Sequence, residues 1–319
     1  MNEIKQLLSP AIRRLVDKIK INYSELVEIR LRVNEPLIFE FIDGSYFIGE
    51  SVGLTTKTEA AYRVDSYDIK AILDYVTDYS IYAYEEEIKQ GFITVCGGHR
   101  VGLAGQVILN QGRINGVKHI SFLNIRVAHQ LKGCAKDILP YIISDGKLLH
   151  TLIISPPGCG KTTLLRDIVR LVSDGNSFCD GMNVGVVDER SEIAACYMGV
   201  PQNDVGVRTD VLDCCPKADG MLMLLRSMNP NVIAVDEIGS RQDIDAIAYV
   251  INCGCGIVAT VHGDSIDDVR TKPILRKLVE EKVFDRYIVL GNSAGIGTVE
   301  SIFDERGNEL YFHSLCAAN

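Results

Sequence analysis

The stretch from Ile153 to Thr163 constrains the fold more than any other part of the chain. It changes from an apolar run to a small-residue loop and then to a helix-forming segment. The pattern GxxxxGK[ST] forms a loop whose backbone N–H groups wrap phosphates, while the lysine reaches the outer phosphates and the hydroxyl ligates Mg²⁺. Gly160, Lys161 and Thr162 match its last three places, and Ser155 stands where the first glycine is expected. The predicted nucleotide-binding residues are Ser155, Pro156, Pro157, Gly158, Cys159, Gly160, Lys161, Thr162 and Thr163.

Strands and helices alternate around this loop. Leu149 to Ile154 is apolar enough for a buried strand, and the apolar residues of Lys161 to Val172 recur at helical spacing. Such alternation predicts an α/β fold with a mainly parallel sheet, whose ligands bind at the carboxyl ends of the strands. Further strands are expected at Asn183–Val187, Val232–Val235, Gly256–Val261 and within Tyr287–Phe312, and further helices at Lys217–Met228 and Arg241–Asn252.

The first 127 residues have a different pattern. Ser9 followed by Pro10 is typical of a helix start, and Asp65 is a second N-cap candidate. Strand-like segments lie between and after these helices, at Glu28–Val33, Phe92–Cys96, Val101–Leu109 and His119–Val127. We therefore predict a smaller α+β N-terminal domain over residues 1–127, a linker over 128–146 and the P-loop domain over 147–319.

Composition narrows the class of protein. The 319 residues include 33 basic and 42 acidic side chains, and the net charge of −9 argues against a broad nucleic-acid surface. No targeting segment or long apolar run is evident, so a cytoplasmic protein is expected. The ten cysteines include no CxxC pair, which favours reduced thiols over a zinc site or a disulfide framework.

A second motif follows the predicted strand Val232–Val235. Asp236 and Glu237 come directly after this apolar run, as in a Walker B element. Asp236 is expected to share the Mg²⁺ site with Thr162, and Glu237 to orient or deprotonate the attacking water. ATP and Mg²⁺ are thus the expected cofactors.

Two further strand ends carry polar residues. Asp188, Glu189 and Glu192 follow the strand Asn183–Val187, either to help place water and metal or as an exposed charged turn. The order of motifs suggests that this strand is inserted between the two Walker strands of the sheet. Thr260 and His262 end the strand near Gly256, and His262 is either a water-orienting residue or a structural histidine.

Several arginines are candidates for stabilising the charge that develops during phosphoryl transfer. They are Arg208 and Arg226 in the P-loop domain and Arg100 and Arg126 in the N-terminal domain. The sequence does not rank them.

The order of these motifs resembles the type II and type IV secretion ATPases and, within them, the group of stage III sporulation AA proteins. The resemblance extends over nearly the whole chain. The segments that carry it are Ser155–Thr163, Val187–Ile193, Pro201–Asp210, Leu225–Pro230, Val235–Gly239, Thr260–His262, Glu28–Arg32, Gly97–Gly102 and Asn124–Arg126.

The resemblance implies a RecA-like core and a role for each matching residue. Lys161 and Thr162 would bind phosphate and Mg²⁺, Glu237 would be the Walker B glutamate, and His262 would be the histidine of the family's histidine box. Asp188 would be the first acid of its acidic box. The family often has glycine at the place of Asp236 and glutamate at that of Asp188, so which acid is the base stays open.

The resemblance also implies a hexameric ring that docks on the cytoplasmic face of a membrane channel made in the mother cell during sporulation. The function expected is that of an ATPase motor that drives or assembles this channel. Two alternatives remain: a nucleotide-gated assembly switch with negligible turnover, and a nucleic-acid-dependent motor.

Overall fold

A computed structural model describes residues 2–49 and 53–313. The chain divides between His129 and Gln130 into two compact units, here called the N-terminal and the C-terminal unit. Among the described residues, no helix combines the length and the apolar character that crossing a membrane requires.

The N-terminal unit contains a seven-stranded antiparallel sheet in the order β4-β3-β2-β1-β7-β6-β5. One face of this sheet is buried, since Ile29, Phe39, Val101 and Ile125 are fully inaccessible to solvent. Its elements are α1 (Asn2–Leu7), α2 (Pro10–Val16), β1 (Leu26–Arg32), β2 (Ile38–Phe41), β3 (Gly44–Gly49), β4 (Gly53–Thr55), α3 (Ser66–Val76), α4 (Glu85–Gln90), β5 (Phe92–Thr94), β6 (Arg100–Asn110) and β7 (Arg113–Arg126), with short 3-10 turns at Thr58–Ala60, Ile81–Tyr84 and Cys96–Gly98.

The helix starts of this unit follow the predicted local chemistry. The Ser9 hydroxyl accepts the N–H of Ile12, and the Asp65 carboxylate accepts that of Asp68 in a reciprocal capping box. The strand predicted over His119–Val127 is longer than expected, because β7 already begins at Arg113.

The C-terminal unit contains an eight-stranded sheet in the order β12-β11-β13-β14-β10-β15-β16-β17, whose first six strands are parallel. The predicted α/β class with a mainly parallel sheet is confirmed. Its elements are α5 (Leu139–Ile142), β8 (Ile143–Ser144), β9 (Lys147–Leu148), β10 (Thr151–Ser155), α6 (Lys161–Asp174), β11 (Val184–Asp188), β12 (Thr209–Asp213), α7 (Lys217–Ser227), β13 (Val232–Val235), α8 (Arg241–Asn252), β14 (Gly256–His262), α9 (Ile266–Thr271), α10 (Arg276–Glu280), β15 (Arg286–Gly291), β16 (Thr298–Asp304) and β17 (Glu309–Phe312), with a 3-10 turn at Lys136–Ile138.

Both faces of this sheet are covered, because alternate residues of its central strands belong to different core clusters. Ile153 packs in one cluster with Leu165 and Ile168 of α6, and Ile154 packs in the other with Leu224 of α7 and Ile247 of α8. The strands are therefore buried on both sides, as their continuous apolar runs indicate.

The position of one strand was predicted wrongly. The acidic strand β11 does not lie between the strands of the two Walker elements, because it pairs with the far side of β13. The strand between β10 and β13 is β14, which brings Thr260 and His262 between the phosphate-binding loop and the acidic strand end.

The segment predicted as a linker, residues 128–146, contains regular structure. Ala135, Ile138, Leu139 and Ile142 are buried in the core of the C-terminal unit. The domain boundaries derived from the sequence stay a prediction.

Candidate active site

The loop between β10 and α6 has the geometry of a phosphate cradle. Gly158 and Gly160 adopt left-handed backbone angles, with φ of 76° and 82°, and a Cβ on Gly160 would lie 3.3 Å from the Cα of Gly297. Glycine is therefore favoured at Gly160 by its positive φ, and a Cβ at this position would also be tightly packed. The helix α6 begins at Lys161, so its first N–H groups point into this loop without intrahelical partners. Ser155, the departure from the motif, is fully buried as the last residue of β10.

The acidic end of β13 meets the start of α6. The Asp236 carboxylate accepts two hydrogen bonds. One oxygen accepts a hydrogen bond of 2.5 Å from the Thr162 hydroxyl, and the other accepts one from the Thr260 hydroxyl. Thr260 is placed there by the register of β13 with β14, which pairs Val235 with Ala259. These three side chains offer only oxygen atoms, the ligand type that Mg²⁺ prefers.

Glu237 is surrounded by cationic groups. Its Oε1 lies 2.7 Å from Nζ of Lys161 and 3.0 Å from Nε2 of His262, and its Oε2 lies 2.9 Å from Nη1 of Arg190. Partial burial raises the pKa of Glu237, but the hydrogen bond from Lys161 and the charges of Lys161, Arg190 and His262 outweigh it and hold the pKa below its usual value. The carboxylate is thus a weakened base as long as these partners stay in contact.

The backbone of Glu237 is held in a conformation that a non-glycine residue rarely adopts. Its φ is 54°, and its N–H donates to the Thr260 hydroxyl at 2.9 Å. Because Thr260 also donates to Asp236, one hydroxyl fixes both acids of the strand end. Backbone strain of this kind persists where surrounding contacts over-determine it, and it clusters at functional sites.

Asp188 organises the loop that follows β11, which we call the acidic loop. Its carboxylate accepts the N–H groups of Glu192, Ile193 and Ala194 at 2.8 to 2.9 Å. Burial raises the pKa of Asp188 to about 6, the three backbone hydrogen bonds oppose that rise, and the charge of Asp213 adds to it. Asp188 is thus fully engaged in shaping its own loop.

The other residues of the acidic loop are also placed beside the Walker B acids. The Glu189 carboxylate pairs with the ammonium of Lys217. A small cavity is lined by Asp188, Glu189, Arg190, Glu192, Lys217, Asp236 and Glu237.

Comparison with known proteins identifies the family. Residues 1–310 match the family model described as "Sporulation stage III, protein AA". The chain belongs to this sporulation family. It is 44% identical to the stage III sporulation protein AA of Bacillus subtilis (strain 168) over 311 residues, which cover 97% of each chain. The resemblance predicted from the motifs is confirmed.

The fold of this family member is also that of secretion-type ATPases. The Legionella pneumophila ATPase DotB aligns with a TM-score of 0.56 at 15% identity, over 88% of this chain and 75% of that one. The pilus retraction motor PilT with bound ADP aligns with a TM-score of 0.53 at 13% identity, over 88% and 76%. At these identities the likeness shows the shared fold alone.

The arginines proposed for charge stabilisation are not brought to the loop within the C-terminal unit. Arg208 directly precedes β12, and its guanidinium donates to the carbonyl oxygen of Ser173 near the end of α6. That helix turn is about 18 Å from Lys161 at 1.5 Å per residue. Arg226 is exposed on α7.

In the N-terminal unit, the two candidate arginines have local partners. The Cζ atom of Arg100 lies 4.7 Å from the centroid of the Phe92 ring. The Nε atom of Arg126 lies 3.2 Å from Oε1 of Glu28.

Sequence reasoning missed two basic residues of this candidate site. Arg190 contacts Glu237, and the almost buried Arg166 donates to the carbonyl oxygens of Ile193 and Glu192 at 2.5 and 2.6 Å. Arg166 follows Thr162 by four residues and so lies on the same helix face. That spacing was the signal that could have found it.

Proposed function

We propose that the chain is a Mg²⁺-dependent ATPase that hydrolyses ATP to ADP and phosphate. One observation carries the proposal: the first two residues of α6, Lys161 and Thr162, contact the two acids that end β13. A phosphate-binding lysine, a metal-binding hydroxyl and two carboxylates thereby converge on one loop of backbone N–H groups. These are the functional groups that phosphoryl transfer from a nucleotide requires.

Each group of residues has a distinct proposed role. The loop from Ser155 to Thr163 would hold the phosphates through its N–H groups and the Lys161 ammonium. Thr162 and Asp236 would hold Mg²⁺, which neutralises charge on the phosphates when bound, and their oxygen atoms already lie in contact. Glu237 would orient and deprotonate the attacking water, with His262 beside it.

The acidic loop would act mainly by position. Asp188 holds the backbone of residues 192–194, and Glu189 pairs with Lys217, so both carboxylates already have partners within the protein. Arg208 and Arg226 would act on the nucleotide only from a neighbouring subunit.

Loss of turnover in two variants tests this proposal. The purified chain should hydrolyse ATP with Mg²⁺, and Lys161→Ala and Glu237→Gln should each abolish hydrolysis. Lys277→Ala and Glu280→Gln are matched controls, because both residues lie in exposed i,i+4 ion pairs of α10. Undiminished turnover in both active-site variants would refute the assignment.

We further propose that the ATPase works as a six-membered ring in the mother-cell cytoplasm and drives or assembles a membrane channel during sporulation. The family's sporulation name and the likeness in fold to proteins named as an ATPase and a pilus retraction motor support this reading. Nucleic acid is not an expected partner, given the net charge of −9.

A nucleotide-gated switch is the second candidate, and the cationic surroundings of Glu237 favour it. A carboxylate bound by Lys161, His262 and Arg190 is poorly prepared to accept a proton. Particle mass with and without ATP, measured alongside turnover in wild type and Glu237→Gln, separates the two functions. Assembly that needs ATP without any hydrolysis would identify the switch.

A further inference from the structure

The two longest strands of the N-terminal unit extend beyond its sheet as a two-stranded ribbon. β5 pairs with β6 only from Arg100 to Gly102, and β1 pairs with β7 only from Phe122 to Arg126. From Gln106 to Lys118 the register joins β6 and β7 to each other, and no third strand pairs with them in the described part of the chain. We call residues 106–118 the ribbon.

The ribbon is joined to the sheet by a close approach of its strands. At Gly105 a Cβ would lie 2.8 Å from the carbonyl oxygens of both Lys118 and His119. The strands can approach this closely only because Gly105 has no side chain. The pairing shifts register at this point, between Ala104 and Gln106.

The ribbon is amphipathic. Its register pairs Val107 with Val117 and Leu109 with Ile114, so these four aliphatic side chains share one face. Leu109 is 64% exposed, Ile114 56% and Val107 47%. The opposite face carries Gln106, Ile108, Asn110, Gly116 and Lys118.

The charge of the ribbon is opposite in sign to that of the chain. Residues 106–118 contain two basic and no acidic side chains, whereas the whole chain has a net charge of −9. A cationic region with exposed aliphatic side chains is complementary to an anionic, partly apolar surface.

We propose that the ribbon docks the protein directly on an anionic lipid surface. The aliphatic face enters the boundary between headgroups and acyl chains, and the exposed Lys118 meets the phosphate groups. This surface is distinct from the proposed nucleotide site and supplements any attachment through a membrane protein.

Other occupants fit the ribbon less well. Single-stranded nucleic acid stacks its bases on aromatic rings, and residues 106–118 contain none. Protein interfaces obtain most of their binding energy from Trp, Tyr and Arg, whereas Leu and Val are under-represented at their hot spots. Insertion of aliphatic groups into lipid needs no shape complementarity.

Vesicle sedimentation of the full chain, without nucleotide, tests the proposal. Wild type should sediment with phosphatidylglycerol vesicles and not with phosphatidylcholine vesicles. Leu109→Ser with Ile114→Ser should reduce the partition coefficient about tenfold or more. Ile42→Ser is the matched control, since Ile42 is an exposed isoleucine in the turn between β2 and β3 and should leave sedimentation unchanged.

A charge variant keeps the test decisive if the double serine variant folds poorly. Lys118→Gln should weaken binding to phosphatidylglycerol about fivefold, whereas Lys20→Gln, also exposed, should leave it unchanged. Three results would overturn the proposal: no sedimentation of wild type, equal loss in the ribbon and control variants, or binding of nucleic acid in place of vesicles. A smaller particle mass with unchanged vesicle binding in the double serine variant would also overturn it, since the ribbon would then join copies of the chain.

This test does not depend on ATP hydrolysis. If the chain binds vesicles through the ribbon but never hydrolyses ATP, only the proposed ATPase function fails. If it hydrolyses ATP but does not bind vesicles, only the docking proposal fails.

Discussion

The ammonium of Lys161 lies 2.7 Å from the Glu237 carboxylate, and both side chains are largely buried. In the proposed function these groups have different partners, because the lysine binds phosphate and the glutamate faces water. The ion pair therefore links nucleotide entry to release of the base. Phosphate oxygens compete with Glu237 for the Lys161 ammonium. When phosphate binds this ammonium, the carboxylate loses its nearest cation.

The first prediction concerns this competition. Glu237→Gln should bind ATP about three- to tenfold more tightly than wild type, because Lys161 no longer leaves an ion pair and a negative charge near the phosphates is removed. Titration with a fluorescent ATP analogue measures the Kd. Glu280→Gln, which removes an exposed carboxylate, should bind as wild type does. Weaker binding in Glu237→Gln would show that the ion pair does not compete with the nucleotide.

The second prediction concerns Thr260, whose hydroxyl contacts both acids of the β13 end. Thr260→Val keeps the shape but leaves the Glu237 N–H and an Asp236 oxygen without their hydroxyl partner. We expect kcat to fall about 10- to 100-fold with a smaller change in nucleotide affinity, because hydrogen bonds that involve charged groups contribute about 1.5–3 kcal/mol.

Two further variants control the experiment on Thr260. Thr260→Ser should restore most of the turnover, since it returns the hydroxyl. Thr151→Val removes a buried hydroxyl at the opposite end of β10, where it donates to Leu149, and should leave kcat unchanged. If Thr260→Val and Thr151→Val behave alike, Thr260 has only a structural role.

Local sequence chemistry predicted much of the C-terminal unit but not its strand order. The bounds of β13 and α8 coincide with the prediction, since an apolar run and a Ser240 capping box define them locally. The position of β14 between β10 and β13 depends on how distant strands pair, which no local pattern encodes. β12 was missed because it is a half-buried edge strand. Its two aspartates, Asp210 and Asp213, interrupt the apolar pattern that predicts a strand.

In the candidate site too, local motifs were predicted from the sequence and contacts between distant residues were not. Lys161, Thr162, Asp236 and Glu237 were found because their motifs are contiguous. Arg190 was missed as a partner of Glu237, since that contact joins residues 47 positions apart. The start of β7 was predicted at His119 instead of Arg113, because Gly116 and Lys118 interrupt the apolar pattern, whereas pairing with β6 sustains the strand.

The third prediction concerns the clamp between α6 and the acidic loop. Arg166→Ala removes two hydrogen bonds to the carbonyl oxygens of Glu192 and Ile193. The free energy of unfolding should fall by about 2–4 kcal/mol, because these bonds come from a charged, buried donor. Amides of residues 191–195 should also exchange with solvent faster. Arg276→Ala, which removes an exposed i,i+4 ion pair, should cost less than about 0.5 kcal/mol and leave those amides protected.

The fourth prediction concerns the dependence of stability on pH. The pKa of Asp188 is raised to about 6 in the folded chain, mainly by burial, and is about 3.9 in an unfolded one. Between these values the folded state binds more protons than the unfolded state, so this group lowers the free energy of unfolding as pH rises. Between a pH below 4 and a pH above 6, the titration of Asp188 should lower the free energy of unfolding by roughly 3 kcal/mol.

Comparison with Asp188→Asn isolates this contribution from that of other titrating groups. Urea unfolding between pH 4 and pH 7 should show wild type losing stability relative to Asp188→Asn as pH rises, whatever the offset between the two proteins. The charge of Asp213 adds to the raised pKa of Asp188, so Asp213→Asn should reduce the pH-dependent loss by lowering that pKa. A difference between wild type and Asp188→Asn that does not vary with pH would mean that the three backbone hydrogen bonds offset the burial of the carboxylate.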